Sequence, residues 1–308
     1  MKVGLVGCGG MGSVHANKYV AMPDVTVQVY DLDTPKLEAF CAQRSLRACS
    51  SLDELIGESD AVDVCLPTTG HVTVAMAALR ARKPTLVEKP MAREVSECQA
   101  LADAALESET ILVPAHVVRF FPEYKRAHEL VKSGEVGTPA SVRLRRGGGP
   151  PKAEWFLDID ASGGILLDLA VHEFDWLLWT LGPAKSVSSR SVRQIRGSSV
   201  TGDYALTLVE FFNGCVAHVE STWMDPQGFR ATIDICGSKG MIEFDSRQNP
   251  SLRASPSAPF AENNYILSDD PYYQQLRAFV DSAKGDRLPA VTPQEGLEAV
   301  RLASAAIT

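Results

Sequence analysis

Nowhere in its 308 residues does the chain contain an apolar run approaching the ~18–20 positions that span a bilayer, so no membrane association is expected. It also lacks a basic excess. Thirty Lys and Arg stand against 38 Asp and Glu, a net charge of -8, which gives no positive field for a phosphate backbone and argues against nucleic acid as a partner. The single dense basic stretch, Arg143, Arg145 and Arg146, is short. The seven cysteines are odd in number, scattered and never spaced C-x-x-C, which excludes a disulfide framework and a structural zinc site; no metal is expected. The start, Met1 to Val6, runs directly into a strand-like segment without the charged and apolar regions of an export signal, so a cytoplasmic protein is expected. Internal repeats are also lacking.

What is present is enough apolar material, 45 % of residues, for two cores, and at roughly 150 residues per domain the length suits two domains. The first third alternates short β-branched runs (Val3 to Val6, Val25 to Tyr30, Ala61 to Leu66, Thr85 to Val87, Ile111 to Val113) with helical patterns. Those helical patterns cover Gly12 to Ala21, Thr34 to Cys41, Ser51 to Ile56, Thr73 to Ala81 and Val95 to Ser108, with Thr34 and Ser96 as expected caps. Strand and helix in alternation predict an α/β fold: a doubly wound parallel sheet, or Rossmann domain, over residues 1–120. After residue 120 the pattern changes. Helices are expected at Pro122 to Ser133, Gly164 to Thr180, Pro271 to Ala283 and Pro293 to Ala306, and strands at Ser186 to Arg193, Tyr204 to Phe212, Cys215 to Trp223, Arg230 to Cys236 and Met241 to Phe244. Asn213-Gly214 signals a hairpin with positive φ at both residues, and the polar, Pro-bearing Ser251 to Asn264 reads as a surface loop. The second domain, residues 121–308, is therefore α+β with a mostly antiparallel sheet, and its last helices are placed to pack back on the first domain.

Gly7-Cys8-Gly9-Gly10-Met11-Gly12 fits G-x-G-x-x-G directly after a strand and at the opening of a helix, where the first glycine permits the turn, the second lets pyrophosphate approach the backbone and the third lets helix and strand pack. Asp31 ends the next strand nineteen positions after Gly12. A carboxylate there accepts hydrogen bonds from the adenosine ribose and repels a 2′-phosphate, favouring NAD over NADP, although Arg44 or Arg47 could fold over the site. Glu88-Lys89-Pro90 falls at the carboxyl end of a strand, the ligand-binding edge of open α/β sheets, and places a lysine to exchange a proton with a substrate oxygen. Asp168 and His172 stand at i and i+4 of one expected helix, after Gly163-Gly164, so that His172 can act as acid or base and Asp168 can orient it or the lysine.

Together these segments resemble the glucose-fructose oxidoreductase, inositol dehydrogenase and rhizopine catabolism (Gfo/Idh/MocA) family of NAD(P)-dependent oxidoreductases. The resemblance runs from Gly7 to about Gly296. Its motifs are the glycine string with His15 after it, Leu66-Pro67-Thr68 with His71, Glu88-Lys89-Pro90, Ala115 to Pro122, and Ser162-Gly163-Gly164 followed by Asp168 and His172. It implies a Rossmann domain joined to a domain whose open sheet supports homodimers or homotetramers, with the active site in the cleft between them. It implies catalytic roles for Lys89, Asp168 and His172, a cis Lys89-Pro90 bond, and cofactor contacts from Leu66, Pro67, Thr68, His71 and Glu88. His116, Arg119 and Trp155 are substrate-side candidates by position. Two departures are visible: Leu66-Pro67-Thr68 replaces the usual Thr-Pro-Asn, and Val118-Arg119 replaces a pair of arginines.

The expected activity is reversible hydride transfer between NAD and the carbon of a secondary hydroxyl on a sugar, sugar derivative or inositol, with either His172 or Lys89 as primary base. Two other readings remain: an enzyme that retains NAD and uses a transient oxidation, as glycoside-cleaving relatives do, and a non-catalytic NAD-binding sensor. The loops Gly147 to Asp160 and Ser221 to Phe229 are expected to carry specificity.

Overall fold

The computed structural model describes residues 1–151, 154–156, 158–196, 199–249, 251–256, 263–265 and 269–307. It divides into two compact units, Met1–Val117 with Asp270–Leu297, and Val118–Asp269 with Glu298–Thr308.

The first unit alternates strand and helix: β1 (Lys2–Val6), α1 (Gly10–Val20), β2 (Thr26–Tyr30), α2 (Thr34–Arg44), β3 (Arg47–Ala48), α3 (Leu52–Glu58), β4 (Ala61–Val64), α4 (His71–Arg80), β5 (Thr85–Glu88), α5 (Val95–Glu107) and β6 (Leu112–Ala115). The six strands pair in parallel in the order β3-β2-β1-β4-β5-β6, with Val3 opposite Val27 on one side and Ala61 on the other. Every residue of β4, β5 and β6 is buried, as expected for a parallel sheet covered on both faces. Pro114, which lacks an N–H, lies in β6 at the sheet edge. Two caps differ from expectation. The cap of α2 is Asp33, whose carboxylate accepts the N–H of Lys36 and suits the positive helix end better than the hydroxyl of Thr34. The cap of α5 is Glu94, whose N–H donates to the Glu97 carboxylate, which leaves Ser96 inside the helix.

The second unit begins with a 3₁₀ turn and continues through α6 (Pro122–Lys132), β7 (Pro139–Gly147), α7 (Ile159–Ser162), α8 (Gly164–Asp168), α9 (Val171–Leu181), β8 (Ala184–Arg196), β9 (Ser199–Phe211), β10 (Val216–Thr222), β11 (Arg230–Gly237), β12 (Gly240–Asp245), β13 (Leu252–Pro256) and β14 (Asn263–Tyr265). Among the described residues these strands form one eight-stranded sheet, β14-β13-β12-β11-β7-β10-β9-β8, antiparallel except where β7 meets β10. β7 is central yet absent from the sequence reading, because its arginines conceal an alternation in which Val142 and Leu144 point inward while Arg143 and Arg145 point out. The expected loop at Ser251 to Asn264 is corrected in part. Leu252 and Ala254 are buried at alternate positions, making Leu252–Pro256 a strand, and Asn263–Tyr265 pairs with it; residues 257–262 lie outside the described set. The Asn213 hairpin is also corrected: only Gly214 has positive φ (88°), and the Gly214 N–H donates to the Phe211 carbonyl, a type I turn closed by a left-handed glycine. Between α6, α9 and the sheet, Tyr124 packs edge-on against Trp176 and Phe244 at 5.8 and 5.7 Å, and the Trp176 ring N–H donates to the Tyr124 carbonyl at 3.0 Å.

The chain closes with α10 (Pro271–Lys284) and α11 (Pro293–Ile307). In the first unit, Leu276, Phe279 and Val280 of α10 join Ala16 and Tyr19 of α1 in one core cluster.

Candidate active site

In the first unit the strand order reverses between β1 and β4, and ligands of such sheets bind beyond the carboxyl ends of the strands at that point. Gly7 to Gly12 leave β1 there. Gly7 has φ of +107°, and a Cβ on it would lie 2.4 Å from the Cys65 carbonyl oxygen; a Cβ on Gly12 would lie 2.0 Å from the Gly7 carbonyl oxygen. Gly9, by contrast, faces open space where a Cβ would meet nothing within 4 Å. The glycines therefore divide their work: Gly7 and Gly12 close the turn against β4 and α1, and Gly9 leaves room for a group to approach the backbone at the helix N-terminus, as a pyrophosphate requires. Gly10 is exposed, and Met11 is half-buried against the core.

Asp31 follows β2 and is tied to this turn. Its Oδ2 accepts the Cys8 N–H at 2.7 Å and the Lys36 ammonium at 3.1 Å, and its Oδ1 accepts the Asp33 N–H at 3.0 Å. Burial works to raise its pKa, but these donors hold it below the usual carboxylate range. The same burial and the Asp31 charge push the Cys8 thiol up to about 12, which leaves it a neutral hydrophobe. The two arginines that could have reached a 2′-phosphate are engaged locally: Arg47 pairs with Glu54 and Glu58, and Arg44 donates to Asn17 at 2.9 Å and stacks over Phe40. A ribose diol fits an anionic Asp31 beside occupied guanidiniums, whereas a phosphate does not.

Leu66, Pro67 and Thr68 follow β4, with Thr68 buried in a 3₁₀ turn. His71 is buried at the start of α4; its two ring nitrogens each lie 2.9 Å from a backbone carbonyl, Nδ1 from Pro90 and Nε2 from Leu66. Burial lowers its pKa against the pull of those carbonyls. The Lys89-Pro90 bond is cis. Glu88 is buried at the end of β5, and its Oε2 accepts the Lys89 N–H at 3.1 Å. Lys89 is thus held at the same carboxyl edge of the sheet as the glycine turn. His116 is fully buried just after β6, and its backbone N–H donates to the Pro114 carbonyl at 2.9 Å.

In the second unit the sequence expectation for Asp168 and His172 needs correction. No single helix carries both: α8 ends at Asp168, the N–H groups of Leu169 and Ala170 share the Ile165 carbonyl, and α9 starts at Val171. The i, i+4 face relation of one helix therefore does not describe them. Gly163 and Gly164 have φ of +78° and +69°, and this left-handed pair turns the chain from α7 into α8. Asp168 is buried and His172 half-buried. Arg119 is buried with its guanidinium on the Asp175 carboxylate, at 2.8 and 2.6 Å. Trp155 is half-buried and stacks on Phe156 at 3.9 Å, and Phe156 meets Trp223 edge-on.

Two of the three arginines of β7 are engaged locally, and Arg143 is exposed. Arg145 bonds Glu220 and Asp225 at 3.2 and 2.9 Å, and Arg146 is buried against Glu173 at 2.6 Å and the Tyr124 hydroxyl at 3.0 Å. Burial nonetheless raises the pKa of Glu173. The sequence reading missed this cluster, as it missed Asp63 and Cys65 behind the glycine turn. Their only signal was a polar residue inside an otherwise apolar strand, Ala61-Val62-Asp63-Val64.

Residues 1–116 match the family profile described as an oxidoreductase family with an NAD-binding Rossmann fold, and residues 124–243 match the GFO/IDH/MocA C-terminal domain. The chain belongs to the GFO/IDH/MocA oxidoreductase family. Within that family it is 25 % identical to a myo-inositol 2-dehydrogenase of Thermotoga maritima, over 99 % of this chain and 95 % of the relative. It is 30 % identical to a UDP-N-acetylglucosamine 3-dehydrogenase of Acidithiobacillus ferrooxidans, over 72 % of this chain and 67 % of the relative. Among solved structures it is similar to GenD2 from gentamicin A biosynthesis, in complex with NAD, with a TM-score of 0.88 and 27 % identity, covering 100 % of this chain and 93 % of that one. The cofactor is NAD, in keeping with Asp31 and the glycine turn. Among the described residues no helix is long and apolar enough to cross a membrane.

Proposed function

We propose that the protein is an NAD-dependent dehydrogenase acting on a secondary hydroxyl of a sugar, sugar derivative or inositol. The observation that carries the proposal is the place of Lys89: at the carboxyl end of β5, beside the strand reversal and on the edge that bears the glycine turn. Bound NAD would supply the hydride acceptor. Gly7, Gly9, Gly10, Met11 and Gly12 would hold its pyrophosphate, Asp31 its adenosine ribose, and Leu66, Pro67, Thr68, His71 and Glu88 would line its path toward Lys89. The Lys89 ammonium polarises the substrate oxygen, His172 accepts the hydroxyl proton and Asp168 orients these groups. Arg119, committed to Asp175, supports the substrate region from within the second unit, with His116 and Trp155 as candidate substrate contacts. The names of the relatives, which act on inositol and a nucleotide sugar, support this substrate class.

In this reading residues 1–120, with α10 packed into their core, serve the cofactor, and the rest of 121–308 serves the substrate and self-association. Val192, Leu206, Leu208 and Val216 expose apolar surface on one face of the eight-stranded sheet, and this supports a homodimer or homotetramer formed through that face. Leu208→Glu should then shift the light-scattering mass toward a monomer. Seven free cysteines, six of them buried, suit the reducing cytoplasm proposed as its location. The test of function is to incubate purified protein with NAD or NADP and a panel of hexoses, amino sugars, nucleotide sugars and inositols, and to follow NADH absorbance. Turnover with at least one polyol and NAD is expected. Tightly held cofactor without NADH release, or binding without any turnover, would overturn the proposal.

A further inference from the structure

Behind the glycine turn the first unit buries a group of titratable side chains, of which the proposed reaction uses only Glu88. His15 of α1 and Asp63 of β4 are fully inaccessible, and Cys65, just past β4, and Glu88, at the end of β5, are each 6 % exposed. His15 Nδ1 lies 2.8 Å from Asp63 Oδ2, and its Nε2 lies 3.2 Å from Glu88 Oε1. The Cys65 sulfur is 3.2 Å from the same Nδ1 and 3.5 Å from Asp63 Oδ1. The buried Tyr19 hydroxyl, one turn further along α1, is held neutral by burial and by the nearby Asp63 charge, and the remaining titratable groups that act on Glu88 are Lys89 and His71.

One imidazole between two carboxylates has a definite proton count. An ionised carboxylate only accepts hydrogen bonds, whereas a neutral ring has one N–H and one lone pair, so a neutral His15 would set that lone pair against an anionic oxygen on one side. An imidazolium donates to Asp63 through Nδ1, forms an ion pair with Glu88 through Nε2 at 3.2 Å, and cancels one of two buried negative charges, whose burial is otherwise costly. Glu88 carries the contact onward, since its second oxygen holds the backbone N–H of Lys89 at 3.1 Å.

We propose that His15 is a permanently protonated positioning residue: clamped between Asp63 and Glu88, it fixes the Glu88 carboxylate and through it the backbone that presents Lys89. The functional half of this statement rests on the catalytic role proposed for Lys89; the protonation half does not. Although burial favours the neutral ring, contacts with the Cys65 sulfur and the Asp63 carboxylate hold its pKa well above the ordinary histidine value, and His15 keeps Glu88 low despite burial. The His15, Asp63 and Cys65 donor atoms lie within 4.8 Å of one another, a set that would also suit zinc. The 2.8 Å separation of Nδ1 and Oδ2 is a hydrogen-bond length, however, shorter than the ~3.3 Å between two tetrahedral ligands each ~2.0 Å from zinc, which favours the metal-free arrangement.

The test uses the intact chain labelled with ¹⁵N-histidine. Ring-nitrogen spectra from pH 6 to 9 should show His15 with both nitrogens protonated throughout. A neutral tautomer at pH 7.5, or one equivalent of zinc in the purified protein by elemental analysis, would overturn the proposal. His15→Gln should lower kcat by roughly 10- to 100-fold, the range of supporting contacts around a reactive group, with NAD affinity changed far less, and Glu88→Gln should lower kcat to a similar degree. Unchanged kcat in both variants would overturn the positioning role. Full activity in Lys89→Met would instead sink the catalytic reading while leaving the histidine spectrum to stand.

Discussion

Arg119 and Asp175, 56 positions apart, form a two-pronged ion pair inside the second unit, Nε to Oδ2 at 2.8 Å and Nη2 to Oδ1 at 2.6 Å, with both side chains almost fully buried. The guanidinium also lies over the Trp179 ring at 5.2 Å. Removing one charge from such a pair leaves the other buried against lost compensation, at about 3–5 kcal/mol. Asp175→Asn is therefore expected to destabilise the protein by that order in urea unfolding followed by tryptophan fluorescence. The double change Arg119→Met with Asp175→Leu should recover most of the loss; equal stability of Asp175→Asn and the parent would show the pair to be dispensable.

The glycine turn makes a contrast that separates folding from binding. Gly12→Ala inserts a methyl 2.0 Å from the Gly7 carbonyl oxygen and should lower the melting temperature, whereas Gly9→Ala meets open space and should not. Both are expected to weaken NAD binding by calorimetry, the second because its methyl occupies the approach to the helix N-terminus. Wild-type NAD affinity in Gly9→Ala would remove that glycine from the cofactor site.

Asp31→Asn keeps an acceptor for the Cys8 N–H but loses the charge that excludes a 2′-phosphate. Hydrogen bonds to charged groups contribute about 1.5–3 kcal/mol, so the ratio of kcat/KM for NAD over NADP should fall by about 10-fold or more. An unchanged ratio would place cofactor selection elsewhere.

The first unit was legible because its signals are local: β-branched runs buried on both faces, a glycine string with a carboxylate after the next strand, and a lysine at a strand end. The second was legible in class but not in detail. β7 hid because Arg143, Arg145 and Arg146 dominate its composition while Val142 and Leu144 supply its inward face. The break between Asp168 and Val171 was invisible because Leu169 and Ala170 are good helix formers, and two N–H groups sharing the Ile165 carbonyl end the turn without a Gly or Pro to mark it. The carboxylate and thiol around His15 come from a distant strand, and parallel pairing at that range leaves no trace in spacing.

Histidine 128 gives the second unit a pH dependence. Its ring stacks on Trp179 at 3.4 Å with Nδ1 3.1 Å from the Thr180 hydroxyl, and burial, then Lys132 and Arg119, push its pKa down to about 4. Unfolded histidine titrates near 6.5, so as pH falls the unfolded chain binds the proton first, and stability present above pH 6.5 is lost progressively toward pH 4. His128→Phe, which preserves the stack, should make the unfolding free energy fall less between pH 7 and pH 5 than in the parent. Parallel slopes in the two proteins would contradict the assignment.

The central claim is that Lys89 acts on the substrate oxygen rather than on the cofactor, and the most direct measurement pairs turnover with NAD affinity in Lys89→Met. The account predicts that kcat with the best polyol found falls by about 10²- to 10³-fold, the usual cost of removing one donor to a developing oxyanion, while the Kd for NAD stays close to that of the parent. Parental kcat in the variant, or a loss of turnover matched by an equal loss of NAD binding, would contradict it.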